Sequence, residues 1–397
     1  MRIAFYSDNF YPELSGIVDY ILLTGQTLMK RGHEVLFIGP HYPDAAYRAA
    51  KCSRNEDMAC IGAPSLRMPS THLPFSPTGQ SRVAIPTGST FRAVRKFKPD
   101  VIHTQSPYGA GLEAVRVARR LNVPLVGTNH TVIEEYFHLT PGLMRRYEQW
   151  YYNHCTYVSA PYQGLIDHMR EAGFRREGGA VPNPVNLSVF CPPEAGRIER
   201  DTITILYSGR LSDEKRIDVA LRAFALLAPR FPQLSFVIAG AGAGRPKLET
   251  LVHELAIEKQ VRFTGFLPHE ELDREFCNAD IFIIMSTSDS QSLTLMEAYA
   301  TGLPAVGARS HGLIDYIPSA CGFLVEPGDY RAAAAALEKL ISDKELRERM
   351  GAAGSTFVAQ FSPDNMARRW EEVYQRVIDT HRTTGIAKVS PSHAAKD

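Results

Sequence analysis

Val181–Pro193 reads VPNPVNLSVFCPP, four prolines in thirteen residues. Such a run cannot continue a helix or a central strand, because each proline removes a backbone donor and fixes φ. It divides the chain into two stretches that share one pattern. Upstream, the short apolar runs Arg2–Ser7, Glu34–Gly39, Val101–Thr104, Pro124–Asn129 and Thr156–Ala160 predict buried strands. Between them, Val18–Lys30, Ala110–Leu121 and Gln163–Ala172 carry apolar residues at helical spacing. Downstream, Thr202–Ser208, Leu234–Ala239, Gln260–Gly265, Ile281–Met285 and Pro304–Gly307 predict strands, and Val219–Ala228, Pro246–Ala256 and Thr294–Thr301 predict helices. Strands alternating with helices imply parallel sheets covered on both faces.

The expected protein is therefore α/β, with two doubly wound, Rossmann-like domains facing an interdomain cleft. We place the first domain at residues 1–182, a proline-rich hinge at 183–200 and the second domain at 201–361. A long amphipathic helix with Trp370 covers 362–382 and is expected to pack back on the first domain. Residues 383–397 lack apolar periodicity and read as a mobile tail. A length of 397 residues suits two domains.

Composition narrows the classes of function. Lys+Arg 44 against Asp+Glu 43 leaves a formal charge of +1, which argues against a nucleic-acid binder that works by neutralising phosphates. No apolar stretch approaches the ~18 residues of a bilayer span. The start, MRIAFYSDNFYPELSG, carries Asp8 and Glu13 and reads as a strand entering a loop, not as a signal peptide. Six cysteines without a C-x-x-C pair read as reduced thiols of a cytoplasmic protein.

Ligands of doubly wound sheets sit beyond the carboxyl ends of the strands, and five segments there could carry chemistry. In Ser208–Lys215, SGRLSDEK, Gly209 permits a tight turn, and Arg210 and Lys215 bracket a loop leading into a helix. Two cations beside a helix N-terminus suit a diphosphate, although the same residues could be solvated surface charges. In Ser286–Pro304, STSDSQSLTLMEAYATGLP, Asp289 and Glu297 could accept hydrogen bonds from sugar hydroxyls; the plainer role for Asp289 is a helix N-cap. The run Gly240–Gly244, GAGAG, imitates a dinucleotide fingerprint but lacks the acidic residue at the end of the next strand. Tyr11–Gly16, YPELSG, puts Gly16 where a phosphate or sugar could approach the backbone. In Gly127–Pro141, GTNHTVIEEYFHLTP, His130, Glu134 and His138 are four apart, yet no third ligand indicates a metal. His130, at a strand end, better suits hydrogen bonding to a polar substrate.

SGRLSDEK, GAGAGRPKLETL, VRFTGFLP, ADIFIIMSTSDSQSLTLMEAYATGLPAVG and GFLVEPGD follow one another in the order of a known family. They resemble the nucleotide-binding half of the retaining GT-B glycosyltransferases of family 4. YPELSGI, KRGHEV, KPDVIHTQSPYGAG and GTNHT resemble the amino-terminal half of that family. NHTVIEEYFHLTP is similar to the subgroup that glucosylates diacylglycerol. The resemblance implies that Arg210 and Lys215 bind the donor diphosphate beside Gly209, that Glu297 holds the ribose, and that Asp289 holds the sugar hydroxyls. Backbone N–H groups of Gly16, Ser292, Leu293 and Thr294 would complete the phosphate cradle. His130 would contact the transferred sugar, and the nucleobase would lie around Phe266 and Leu267. Three departures stand out: Asp289 replaces the usual first glutamate and is shorter by about 1.5 Å, Ser292 replaces a glycine, and Ser15-Gly16 replaces Gly-Gly.

The chain contains no Asp-x-Asp, so transfer without a metal or other cofactor is expected, from a UDP-sugar such as UDP-glucose. A lipid acceptor such as diacylglycerol would be met by a peripheral, cytoplasmic-face enzyme on an anionic membrane. Phe91–Lys98, FRAVRKFK, and Pro141–Tyr152, PGLMRRYEQWYY, mix cations with aromatics as interfacial helices do. Glu134, Tyr136, Arg145, Arg146 and Trp150 are the candidates on the acceptor and membrane side; helices that bury the same aromatics against their own sheet are the alternative. Rival functions are transfer to a soluble or polysaccharide acceptor, a nucleotide-sugar epimerase, and a non-catalytic nucleotide-sugar sensor.

Overall fold

The computed structural model describes residues 1–13, 15–49, 62–73, 81–130, 141–192 and 201–384. The chain forms two compact units, Met1–Val181 with Met366–Asp397, and Pro182–Asn365. In the first unit, β1 (Arg2–Tyr6), β2 (Glu34–Pro40), β3 (Ser65–Met68), β6 (Val101–Thr104), β7 (Leu125–Thr128), β8 (Tyr157–Ala160) and β9 (Glu177–Ala180) make one parallel sheet in the order β3-β2-β1-β6-β7-β8-β9. A hairpin of β4 (Ser70–His72) and β5 (Arg82–Ala84) lies apart from it. The central strands are almost wholly buried because helices cover both faces of a parallel sheet. The unpredicted strands β3, SLRM, and β9, EGGA, lie at the edges, where one flank is open and the apolar signal fades.

The second unit repeats the plan with β10 (Ile203–Ser208), β11 (Leu234–Ala239), β12 (Val261–Gly265), β13 (Ile281–Ile284), β14 (Ala305–Ala308) and β15 (Gly322–Val325), all parallel, in the order β12-β11-β10-β13-β14-β15. Sequence reading did not identify β15, GFLV, or the helices Tyr330–Ser342 and Lys344–Val358. The strand order reverses between β10 and β13 here, and between β1 and β6 in the first unit. Loops leaving the sheet at such a reversal diverge and open a ligand crevice.

The proline-rich segment read as a hinge is packed structure over its first part. Val185 N–H donates to Phe361 O (2.9 Å), the Gln291 amide brackets the backbone of Asn183, and Phe190 packs edge-on against Phe276 (5.6 Å between centroids). Pro182–Phe190 thus belongs to the second unit; residues 193–200 lie outside the described residues, as do residues 385–397 of the tail.

The helix Pro363–Thr384 belongs to the first unit from Met366 onward. Trp370, Val373, Tyr374, Val377 and Ile378 enter the core built on Ile3, Phe5, Phe37 and Val126. Trp370 is fully buried, 4.5 Å from the ring of His103, and Tyr374 Oη bonds His103 Nδ1 at 2.7 Å. On the rim, Arg31 grips Glu371 with two bonds of 2.8 Å, and His33 adds a third at 2.9 Å. The side-chain bond from Arg31 is the largest influence on Glu371 and holds its carboxyl down at about 2. Trp370→Ala would open a cavity in this core and should destabilise the first unit by about 3–5 kcal/mol. Urea unfolding followed by circular dichroism measures it, and the first unit should melt ahead of the second.

Candidate active site

The candidate residues of the second unit gather at its switch point. β10 ends at Ser208, and Arg210 and Lys215 follow within one loop whose last residues form the short 3-10 turn Asp213–Lys215. β13 ends at Ile284, and the loop after it carries Asp289 before the helix Leu293–Ala300. The two loops are stitched together by Thr287 N–H donating to Glu214 O at 3.1 Å. Lys215 Nζ therefore reaches Asp289 Oδ1 at 2.8 Å, across 74 residues of sequence. Both side chains are only 15% exposed, so this is a shielded ion pair.

The charges set each other. Burial alone pushes the Asp289 carboxyl up, but Lys215, a bond from Ser286 and the Arg210 guanidinium outweigh it and hold the group below the ordinary carboxylate range. Asp289 is thus ionised, and the N-cap role falls to Ser292, whose Oγ accepts from Leu295 N–H at 3.3 Å. Asp289 Oδ2 is buried and makes no hydrogen bond among the described residues. This acceptor and the two cations of Arg210 and Lys215 suit a polyhydroxylated, anionic ligand.

The glycine run after β11 supports the loop from behind. Gly209 N–H donates to Ala239 O (2.9 Å), Leu211 N–H to Ala241 O (3.0 Å) and Gly244 N–H to Leu211 O (2.8 Å). A Cβ at Gly240 would stand 1.8 Å from Gly209 O. GAGAG is therefore a packing surface for the Arg210 loop. Glu297 sits one turn into the helix Leu293–Ala300, in line with Ser292, Leu293 and Thr294 at its start. Phe266, beyond β12, is 62% exposed, and Leu267 beside it is half-buried.

The first unit has its own arrangement beyond β1, β6 and β7. Gly16 opens the helix Gly16–Lys30, capped by Ser15 Oγ accepting from Val18 N–H at 3.4 Å. Asp8, at the end of β1, accepts from Ala84 N–H, Ala110 N–H and Ser106 Oγ–H; burial nevertheless pushes its carboxyl up to about 6. His130, following β7, is 8% exposed and lies 2.9 Å from Gln105 Oε1 through Nε2. Burial lowers its imidazole to about 4, which keeps it neutral near pH 7. Glu134, Tyr136 and His138 lie outside the described residues. Among the described residues no three His, Cys, Asp or Glu side chains are placed to hold a metal ion. Gln105 escaped sequence reading; its position just past the carboxyl end of β6 was the available signal.

Two doubly wound units, each with polar side chains at its switch point, form a scaffold suited to a nucleotide-bearing ligand. The comparisons agree. Residues 14–189 match the Glycosyltransferase Family 4 family and residues 193–357 match Glycosyl transferases group 1. The chain belongs to the family-4, GT-B glycosyltransferases, and it is an enzyme of that class. It is 27% identical to the alpha-monoglucosyldiacylglycerol synthase of Streptococcus pneumoniae, over 98% of this chain and 89% of that one. It is 26% identical to the GDP-mannose-dependent alpha-mannosyltransferase of Corynebacterium glutamicum, over 99% and 93%. The fold is similar to that of Anabaena HepE solved with UDP, with a TM-score of 0.76 at 18% identity, over 95% and 100%.

The ion pair makes Lys215 structural as well as chemical. Lys215→Ala leaves the Asp289 carboxylate shielded and unpaired, which should destabilise the second unit by about 3 kcal/mol. Asp289→Asn in the same chain should restore most of that, as a double-mutant cycle followed by thermal unfolding would show. The sign with pH follows from the lowered carboxyl. The pair contributes fully above the unfolded carboxylate range, about pH 4, and is lost as pH falls through the lower folded value.

Proposed function

We propose that the protein is a retaining glycosyltransferase that moves a hexose from a UDP-sugar, UDP-glucose or a related UDP-hexose, to a hydroxyl of a membrane glycerolipid such as diacylglycerol. The observation that carries the reading is the pair Lys215–Asp289 with Arg210 at the switch point of the second unit. Arg210 and Lys215 take the diphosphate, helped by the N–H groups of Ser292, Leu293 and Thr294 at a helix start and by Gly16 and Gly209. Glu297 holds the ribose, Asp289 the sugar hydroxyls, and the nucleobase lies by Phe266 and Leu267. His130 contacts the sugar being transferred.

In the reaction the bond between the anomeric carbon and the diphosphate oxygen breaks, and the acceptor oxygen bonds that carbon on the same face. The acceptor proton passes to the departing phosphate oxygen. Charge building up on the diphosphate is met by fixed cations and N–H dipoles, which supply the stabilisation without reorganising. The absence of Asp-x-Asp from the sequence favours transfer that needs no metal or other cofactor.

The lipid acceptor rests on relatives named for glucosylating diacylglycerol and on the helix Pro141–Tyr152. That helix buries Tyr151 and Tyr152 but exposes Leu143 (63%), Trp150 (46%), Arg145 and Arg146. An apolar residue and a tryptophan among cations on the outer face are what an interfacial helix presents to anionic head groups. The helix Phe91–Phe97 is weaker in this respect: Arg95 and Arg120 lie over the Phe91 ring. No helix among the described residues is long and apolar enough to cross a membrane. We place the enzyme peripherally on the cytoplasmic face.

Nucleotide release measured over a panel of UDP-glucose, UDP-galactose, UDP-glucuronate, UDP-N-acetylglucosamine and GDP-mannose should rise only when diacylglycerol is added, and should persist in excess EDTA. Release without lipid would favour an epimerase or a soluble acceptor, and loss on chelation would overturn the metal-free reading. Lys215→Ala and Arg210→Ala should each slow turnover by roughly 10²–10³-fold.

The wild-type protein should sediment with anionic vesicles and not with neutral ones, and high salt should release it. Replacing Arg145 and Arg146 with Glu should abolish sedimentation, since each cation contributes about 1 kcal/mol. Donor binding should be unchanged in that variant.

A further inference from the structure

His130 is held from two sides inside the first unit. Its Nε2 lies 2.9 Å from Gln105 Oε1, and the Tyr20 ring meets it edge-on with centroids 5.2 Å apart. A carboxamide oxygen can only accept, so the imidazole proton sits on Nε2 and Nδ1 keeps its lone pair. Burial keeps the ring from taking a second proton near neutral pH.

The other end of the Gln105 amide is buried beside the Tyr20 hydroxyl. Thr128, Trp370, Gln105 and Thr24 gather around the Tyr20 hydroxyl. Tyr20 Oη, Thr24 Oγ1, Gln105 Nε2 and Trp370 Nε1 are all buried, and none of them makes a hydrogen bond among the described residues. Thr128 is fixed from behind: its Oγ1 bonds His103 Nε2 (2.7 Å) and Ser159 Oγ (2.7 Å), and His103 Nδ1 bonds Tyr374 Oη. The helix Pro363–Thr384, through Tyr374 and His103, thus reaches Thr128, two residues before His130.

We propose that Gln105 is a positioning residue: it locks His130 in the Nε2–H tautomer, so that His130 offers the transferred sugar a neutral acceptor, Nδ1, for a hydroxyl proton. The proposal deepens the function above and rests on its reading that His130 meets that sugar. It names a substrate class. A neutral hexose with a hydroxyl at the meeting point gains a hydrogen bond, whereas a hexuronate with a carboxylate there faces a lone pair and no compensating charge.

Nuclear magnetic resonance of the full chain carrying nitrogen-15 histidine tests the tautomer without any turnover, with His130 assigned by its loss in His130→Asn. The wild type should show His130 as a single Nε2–H tautomer. Gln105→Leu should release it to a mixture, and Gln105→Glu, which also only accepts, should bring Nε2–H back. In parallel, Gln105→Leu should lower kcat with the preferred hexose donor by about ten- to a hundred-fold, with KM for the donor nearly unchanged, and Gln105→Glu should recover part of it. A wild-type His130 in the Nδ1–H form or in a mixture overturns the proposal, as does a Gln105→Leu spectrum like that of the wild type. If Gln105→Leu does not fold, the wild-type spectrum and Gln105→Glu still decide. Should the tautomers behave as stated while His130→Asn keeps full turnover, the contact of His130 with the sugar is what fails, and the proposal falls with that reading.

Discussion

In a parallel sheet each strand must be followed by a crossover, and the crossovers on the two sides of a reversal in strand order leave in opposite directions. Both sheets of this protein contain one such reversal, and the candidate chemistry lies at it. In the second unit Arg210 and Lys215 come from the loop after β10, and Asp289 comes from the loop after β13. In the first, Asp8 follows β1 and Gln105 follows β6. Helices begin beside both places, so free N–H groups accompany the side chains. The topology brings together residues that lie far apart in the chain.

The Lys215–Asp289 pair shows how this arrangement prepares a site. A lone lysine in a partly shielded loop would be mobile; bonded to Asp289 at 2.8 Å, Lys215 is held in place at the switch point. The carboxylate in turn stays ionised in spite of its burial because two cations face it. The glycines behind the loop serve the same end. With no Cβ at Gly240, the backbone after β11 approaches the Arg210 loop closely enough to hydrogen-bond it along its length.

The helix Pro363–Thr384 ties the first unit to the end of the described chain. Its Trp370 and Tyr374 join a core of strand and helix residues of the first unit, among them Ile3, Phe5, Tyr20, Phe37 and Val126. The hydroxyl of Tyr374 reaches His103, and through it Thr128, two residues before His130. Stability of the first unit and the setting of His130 therefore depend on one helix, and disturbance of one carries to the other.

The buried strands were legible residue by residue: Val101–Thr104 and Leu234–Ala239 have the predicted limits, because strands covered on both faces are short runs rich in apolar residues. The edge strands Ser65–Met68 and Glu177–Ala180 were not, since an edge has no such requirement. Arg210, Lys215, Asp289 and His130 could be named from residue type and place after a strand. Their relations could not: local sequence reads Asp289 as a helix N-cap, and the joining of its loop to Glu214 through Thr287 brings it to Lys215 instead. Gln105 is an ordinary polar residue until β6 and β7 lie side by side and set it against His130. Sequence alone determined the alternation of elements and the inventory of charges, because both follow from local periodicity and residue type. Which charges meet, and which nitrogen of His130 carries the proton, was decided by tertiary structure, because hydrogen bonds and ion pairs act over about 3 Å and only the folded sheets bring such distant residues that close.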